Sequence, residues 1–236
     1  AKKAVADAGN KTPLFFVAVS DPYAAKFANS ATDHPNNLTG IQDSPPVTDA
    51  LKLIQQVLPN VKNIGLLWNP DEANSVYTRN IAEGAAAMLG FTIIEQPATA
   101  SANLADAANA LADKQVDAFF VSTTNYVVTG LPTIAQVGAG RSPKIPLFGN
   151  DFISATRGAC VTYGLDYTDS GRKVGLMAWA ALTGQQQIKD MPIQLQTKTA
   201  LYVNTFYAQQ QGVTIPDSVL KQAAQVLDGP AATPGK

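Results

Sequence analysis

Two patterns of apolar positions alternate along this chain of 236 residues. Short continuous apolar runs, such as Leu14–Val19 and Ile64–Trp68, are typical of strands that are buried on both faces of a sheet. Longer segments, such as residues 45–58, repeat apolar positions every three or four residues, which is typical of amphipathic helices. The alternation of the two patterns predicts an α/β protein with a mostly parallel sheet.

The predicted elements cover most of the chain. The predicted strands span residues 14–19, 38–41, 64–68, 91–96, 118–122, 145–148, 160–165 and 200–203. The predicted helices span residues 1–8, a short stretch after Asp21-Pro22, 45–58, 75–89, 104–112, 131–137, 170–182 and 205–211, with a last short helix after Pro216. Residues 229–236 are rich in Pro, Gly and Ala and are predicted to be disordered.

Polar residues follow the predicted strands where each strand ends. Open parallel sheets bind ligands beyond the carboxyl ends of their strands, so these loops are the candidate site. They are Ser20–Pro22, Asn69–Ser75, Ser122–Asn125, Gly149–Asp151 and Asp166–Tyr167. None of them has the spacing of a phosphate-binding loop, because neither GxxxxGK nor GxGxxG occurs.

The segment from Val61 to Arg79 is the most informative of these, because a buried strand there leads through a short turn into a helix. A helix N-terminus presents unpaired backbone N–H groups and the positive end of the dipole, so it favours an anion. Asn74 and Ser75 are therefore candidates to bind a ligand carboxylate. The alternative is that they only cap the helix, since Asn and Ser are preferred at N-caps.

The other polar loops leave the same two alternatives open. Ser20 and Asp21 either bind a ligand or cap a helix with Pro at its first turn. Thr124 and Asn125 likewise either donate to a ligand or cap a helix. Asp151 either pairs with a ligand ammonium or serves as an N-cap.

Aromatic residues also fall near the predicted strand ends. Trp68, Tyr23 and Phe152 are candidates to pack against an apolar ligand side chain. Taken singly, each is more often a core residue, and it is their grouping at one edge of the sheet that favours a ligand pocket.

Composition excludes several classes of function. A net charge of −1 without a basic block argues against nucleic acid as a partner. Cys160 and His34 are the only residues of their types, so neither a zinc cluster nor a Ser-His-Asp arrangement is predicted, and no cofactor or metal is expected. Cys160 is predicted to be a buried structural thiol. No apolar run is long enough to span a bilayer, and residues 1–7 do not read as a signal peptide.

Several segments, taken in order, resemble a known family. They read FFVAVSDP (15–22), NNLTGI (36–41), LPNVKNIGLLWNPDEANS (58–75), VDAFFVSTTN (116–125), IPLFGND (145–151), GLDYTDSGRKVGLMA (164–178) and YVNTFYAQQQGVTIP (202–216). The pattern resembles the substrate-binding proteins of ABC transporters, the family that includes tryptophan- and tyrosine-type solute binders. The resemblance runs from about Pro13 to Leu227.

The resemblance implies a type I periplasmic-binding fold, with two Rossmann-like lobes around a cleft and joined by three crossing strands. Lobe 1 is expected at residues 1–60 and 160–190, and lobe 2 at 61–158 and 191–228. Members of the family have further strand–helix units before the first helix of this chain, so lobe 1 is expected to be truncated at its N-terminus.

The implied function is that of an extracytoplasmic, non-enzymatic binder. It would capture a small ligand, an amino acid and preferably an aromatic one, and deliver it to the membrane permease of an ABC importer. The expected location is periplasmic or extracellular, with the signal peptide removed or a lipid anchor supplied by a missing N-terminus. The alternatives are a ligand-sensing domain of a receptor or regulator and, less in keeping with the residues, a hydrolase.

Overall fold

The computed structural model describes residues 3, 11–99, 103–121, 124 and 127–230. The helix predicted at residues 1–8, apart from Lys3, lies outside this part of the chain. So do the candidate site residue Asn125 and residues 231–236 of the predicted tail.

Ten strands and eight α-helices follow one another along the described residues. The strands are β1 (Leu14–Val19), β2 (Leu38–Gln42), β3 (Asn63–Trp68), β4 (Thr92–Pro97), β5 (Ala118–Val121), β6 (Leu147–Gly149), β7 (Val161–Leu165), β8 (Gln194–Leu195), β9 (Thr199–Asn204) and β10 (Gln225–Leu227). The helices are α1 (Val47–Val57), α2 (Ala73–Leu89), α3 (Leu104–Asp113), α4 (Leu131–Ala139), α5 (Phe152–Thr156), α6 (Tyr167–Leu182), α7 (Thr205–Gln210) and α8 (Asp217–Leu220).

The chain forms two compact units. Unit 1 comprises residues 1–44 and 165–198, and unit 2 comprises residues 45–164 and 199–236. Unit 1 contains a three-stranded parallel sheet in the order β1-β2-β8. Helix α6 packs against β1 and β2, and a small core forms around Ile41, Met177 and Met191.

Unit 2 is built on a seven-stranded sheet in the order β10-β9-β7-β6-β5-β3-β4. The pairs from β4 to β7 are parallel, as is the pair of β9 with β10. The backbone N–H of Asn204 donates to Cys160 and that of Asp166 to Lys198, a reversed order that makes β9 antiparallel to β7. The predicted mostly parallel sheet is therefore correct, with β7 and β9 as the exception.

The core of unit 2 lies on both faces of its sheet. Along β3, Ile64 and Leu66 pack in one cluster with α1 and α2, whereas Leu67 packs in a second cluster with α3 and α4. Successive strand residues point to opposite faces, so a strand covered on both sides has no polar position. This is why β3 and β5 read as continuous apolar runs in the sequence.

The unit boundaries differ from the expected lobe boundaries. Helix α1 was expected in lobe 1, but its apolar positions Val47, Leu51 and Ile54 pack with α2 in the core of unit 2. Strand β7 was also expected in lobe 1, and it pairs with β6 in the sheet of unit 2. Unit 1 in turn extends to residue 198 because β8 pairs with β2.

The short helix predicted after Asp21-Pro22 is wrong. Residues 22–26 form a turn, which Lys26 ends with a positive φ of 57°. Strands β8 and β10 and helix α5 were not predicted, because two to five residues are too few to display a period. Among the described residues, none of the helices is long and apolar enough to cross a membrane.

Candidate ligand-binding site at the strand ends of unit 2

Three neighbouring strands of unit 2 end at one edge of the sheet. In the order β6-β5-β3 they are parallel and in register, so their carboxyl ends lie side by side. The polar residues that follow them are Asn69–Ser75, Thr124 and Asn150-Asp151. The fold therefore brings together three of the loops that the sequence singled out.

The turn from β3 into α2 is braced by Asn69 and Ser75. The backbone N–H of Asn69 donates to Ser75 Oγ over 2.8 Å, and its side chain joins Asp71 N and Glu72 Oε1. The N-cap of α2 is Glu72, whose side chain makes no capping hydrogen bond. The alternative that Asn74 and Ser75 only cap this helix is therefore wrong.

Ser75 and Thr124 are in contact. The hydroxyl of Thr124 lies 3.2 Å from Ser75 Oγ, and both residues are wholly buried. This contact ties the first turn of α2 to the segment after β5. Asn74 is half-buried beside them, and its backbone carbonyl accepts a hydrogen bond from Thr78 Oγ1.

Asp151 is the N-cap of α5, which was one of the two alternatives predicted for it. One carboxylate oxygen accepts from Ser154 N over 2.8 Å and the other from Ser154 Oγ over 2.9 Å. The residue is 4% exposed, and burial raises the pKa of its carboxyl although the Ser154 hydrogen bonds oppose this. A carboxylate oxygen has more than one lone pair, so capping does not exhaust Asp151 as an acceptor.

Asn150 was not singled out from the sequence, and it is the most unusual residue of the site. It is 1% exposed, and within the described part of the chain neither Nδ2 nor Oδ1 has a hydrogen-bond partner. Leaving a buried polar group unsatisfied costs about 1–3 kcal/mol. Asn150 lies in one of the candidate loops of the sequence, but residue type alone does not distinguish a buried amide from one in a solvated turn.

A glycine on the neighbouring strand holds Asn150 in place. A Cβ at position 164 would overlap the carbonyl oxygen of Asn150. Gly164 therefore allows β7 to approach the backbone that follows β6. The close packing fixes the main chain from which the unpaired amide projects.

The candidate aromatic residues have different surroundings. Trp68 is half-buried against the α1–α2 cluster, its Nε1 is buried without a partner among the described residues, and the Arg79 guanidinium lies 5.4 Å from its ring centre. Phe152 is 39% exposed, and its ring centre lies 4.9 Å from that of Tyr202 with the two rings inclined at 60°. Phe152 thus has an exposed ring surface next to Asp151.

The candidates Ser20, Asp21 and Tyr23 lie in unit 1, after β1. Asp21 Oδ1 accepts from the backbone N–H groups of Tyr23 and Ala24, each over 2.9 Å, so Asp21 closes the turn. The carbonyl oxygen of Ser20 accepts from Gln42 Nε2. Tyr23 is half-buried.

Cys160 is the buried structural thiol that the sequence predicted. It is wholly buried, and burial raises the pKa of its thiol to about 12. A thiol that stays protonated at neutral pH is a poor nucleophile. Among the described residues, no three His, Cys, Asp or Glu side chains are grouped so as to hold a metal ion.

Comparison with known proteins gives this arrangement a family. The family model for ABC transporter substrate-binding proteins matches residues 1–227. A tyrosine-binding protein of Clostridioides difficile is 27% identical over 202 residues, which is 86% of this chain and 57% of that protein. The chain thus spans little more than half the length of that curated relative.

Solved structures agree with the family model. A conserved domain protein from Vibrio cholerae O1 is 32% identical with a TM-score of 0.83, and the match covers 94% of this chain and 74% of that one. An ABC domain from Streptococcus pneumoniae, solved in complex with L-Trp, is 29% identical with a TM-score of 0.82 over 91% and 72% of the two chains.

These matches confirm the fold class predicted from the sequence, the type I periplasmic-binding fold, and the resemblance to ABC transporter substrate-binding proteins. Members of this class bind solutes and are not enzymes, as predicted. The chain belongs to the ABC transporter substrate-binding protein family.

Proposed function

We propose that this protein captures an aromatic amino acid outside the cytoplasm and delivers it to the permease of an ABC importer. The ligand would be held by the polar residues at the strand ends of unit 2. Two relatives support this ligand class, since one is named a tyrosine-binding protein and another was solved with L-Trp.

The observation that carries the proposal is the unpaired side chain of Asn150. An amide that is 1% exposed and has neither its donor nor its acceptor satisfied by described residues is unfavourable in the free protein. A ligand with both a hydrogen-bond donor and an acceptor removes that cost on binding. An amino acid has both, in its ammonium and its carboxylate.

The charges at this edge suit a zwitterion. The N-terminus of α2, where Asn74, Ser75 and Thr124 meet, is the positive end of a helix of 17 residues and favours the carboxylate. The carboxylate of Asp151 favours the ammonium. An ammonium beside Asp151 would also lower the pKa that burial raises.

The aromatic side chain would pack against Phe152 and Trp68. Asn125, which follows β5 in the sequence, would add a polar contact. Within unit 1, Ser20, Asp21 and Tyr23 remain the candidates for ligand contact. Aromatic ligands suit such a lining because ring pairs contribute about 0.5–1.5 kcal/mol beyond the area they bury.

The experiment is a thermal-shift and calorimetric screen with L-tryptophan and L-tyrosine. Tryptamine and indole-3-propionate serve as analogues that lack the carboxylate or the amine, and D-ribose serves as an unrelated ligand. A ligand at 100 times its dissociation constant stabilises the folded state by about 2.7 kcal/mol. We expect this shift with an aromatic amino acid and a much smaller one with either analogue.

Variants connect the binding to the proposed site. Asn150→Ala should lose most of the affinity, whereas Asn80→Ala, on the exposed side of α2, should retain it. A shift with ribose and none with any amino acid would overturn the proposed ligand class. Uptake of the labelled amino acid in cells that lack the protein tests the importer role separately.

A further inference from the structure

The chain passes between the two units three times, and polar side chains of unit 1 lie beside each passage. The passages are at residues 44/45, 164/165 and 198/199. Asp43 lies just before the first, Asp166 just after the second and Gln196 shortly before the third. All three residues belong to unit 1, so their contacts can be compared within one compact body.

Gln196 has the largest set of these contacts. The residue is 2% exposed, and its Nε2 lies 3.0 Å from the carbonyl oxygen of Asp166 and 2.9 Å from Ser170 Oγ. Its Oε1 accepts from Lys173 Nζ over 2.8 Å and from the backbone N–H of Thr197 over 3.0 Å. One side chain thus joins the second passage to the third.

Ser170 links Gln196 to the first passage. Its hydroxyl donates to Asp43 Oδ1 over 3.0 Å, and the other oxygen of Asp43 accepts from Ala18 N over 2.7 Å. The backbone of Gln196 also donates to the carbonyl oxygen of Gln42 over 2.9 Å. Hydrogen bonds centred on Gln196 therefore connect the unit 1 ends of all three passages.

The charges around Gln196 require a neutral side chain with both a donor and an acceptor. Asp169 lies 3.2 Å from Nε2 and is 7% exposed, while Lys173 faces Oε1. Lys173 and Arg172 hold the pKa of Asp169 below its usual value, so Asp169 is an anion at neutral pH. A glutamate at 196 would oppose Asp169 and lose the donors, and a leucine would lose every one of these bonds.

We infer that Gln196 is a positioning residue that holds the unit 1 ends of the three connecting segments in one arrangement, and that it thereby sets ligand affinity without touching the ligand. The effect on affinity rests on the proposed function. The coupling between the three segments does not, because it concerns unit 1 alone. The two parts can therefore fail separately.

The coupling is tested by hydrogen exchange in the ligand-free protein. In Gln196→Leu, the side-chain bonds to Asp166 and Ser170 are lost, and Ser170 is the residue that holds Asp43. We therefore expect amides in residues 42–44, 165–170 and 196–198 to exchange roughly tenfold faster. Gln186→Leu is the matched control, since among the described residues the Gln186 side chain bonds only to the nearby carbonyl of Asp190. Faster exchange confined to residues 196–198 would overturn the inference.

A second variant keeps the test decisive if Gln196→Leu fails to fold. Ser170→Ala cuts the link to Asp43 and leaves the bonds of Gln196 to Asp166 and Lys173 in place. We expect faster exchange in residues 42–44 and little change in residues 196–198. Unchanged exchange in residues 42–44 would show that the first passage is not coupled, and would refute the inference.

The affinity is measured by calorimetry with L-tryptophan on the same variants. We expect Gln196→Leu to bind roughly tenfold more weakly, within the range seen for residues that couple to a site without contacting it. Equal affinity, with altered exchange, would overturn the affinity part. If the wild-type protein binds no amino acid, the proposed function fails, and the exchange pattern still decides the coupling.

Discussion

Replacing Asn150 by leucine should stabilise the ligand-free protein while abolishing ligand binding. The wild-type amide is 1% exposed and unpaired at both polar atoms among the described residues. Removing an unsatisfied buried polar group recovers about 1–3 kcal/mol. Leucine has the branching of asparagine but a larger volume, and fitting it into the buried site costs about 1 kcal/mol, the low end for overpacking. The expected net gain is up to about 2 kcal/mol, or a rise of up to roughly 6 °C in the melting temperature of a chain this long.

Asn204 provides the matched control in the same unit. It is wholly buried, but its Nδ2 donates to the carbonyl oxygens of Ala155 and Gly229, each over 2.9 Å, and its Oδ1 caps α7 at Tyr207 N. Asn204→Leu should destabilise by about 2–4 kcal/mol, because it leaves three partners unpaired and removes a cap. The same substitution is therefore expected to have opposite signs at the two positions.

The assay is urea unfolding of both variants without ligand, followed by calorimetry with L-tryptophan. Loss of stability at position 150 by more than about 1 kcal/mol would refute the reasoning, since it would mean that the amide is satisfied in the free protein. If the variant is stabilised and still binds with wild-type affinity, the Asn150 amide is unsatisfied in the free protein but does not bind the ligand. Gain of stability with loss of function is typical of residues that are kept for binding.

Three further predictions concern neighbouring residues. Asp151→Asn should keep the cap on Ser154, and it should be at least as stable as wild type at pH 7 because burial raises the pKa of the Asp151 carboxyl. The variant should lose amino-acid affinity in calorimetry, and unchanged affinity would exclude pairing of Asp151 with the ligand ammonium. Gly164→Ala should displace the Asn150 backbone and destabilise by about 1–3 kcal/mol in urea unfolding. Asp169 has a lowered pKa, so it stabilises the folded protein above its unfolded pKa, near 4, and this stability is lost progressively as the pH falls further. The difference in stability between Asp169→Asn and wild type should therefore be fully present at pH 6 and shrink as the pH falls below about 4; a constant difference would contradict this.

The sequence predicted the parts of the fold that depend on long, regular patterns. Strand β3 and helix α1 were found within two residues of their ends, because a buried strand and an amphipathic helix each leave a clear period. The ends of these elements also indicated loops that the fold places side by side. The candidates Ser75, Thr124 and Asp151 follow β3, β5 and β6, three strands that lie side by side in the sheet.

The parts that depend on distant partners were not predicted. The placement of α1 in unit 2 depends on packing against α2, and that of β8 in unit 1 on pairing with β2. Asn150 and Gln196 look like ordinary polar residues in the sequence. The amide of Asn150 has no hydrogen-bond partner among the described residues, whereas the amide of Gln196 has several. Both properties depend on residues that are distant in the sequence.

The discontinuous make-up of unit 1 has a consequence for the order of folding. Its first stretch ends at residue 44, yet Thr39 donates to the carbonyl of Met191 and Asp43 accepts from Ser170. These partners are separated by 152 and 127 residues, and pairings at such separations form slowly because a long loop must close first. During synthesis, strands β3 to β6 can assemble while β1 and β2 still wait for α6, so unit 1 acquires its core only after much of the sheet of unit 2 has been made.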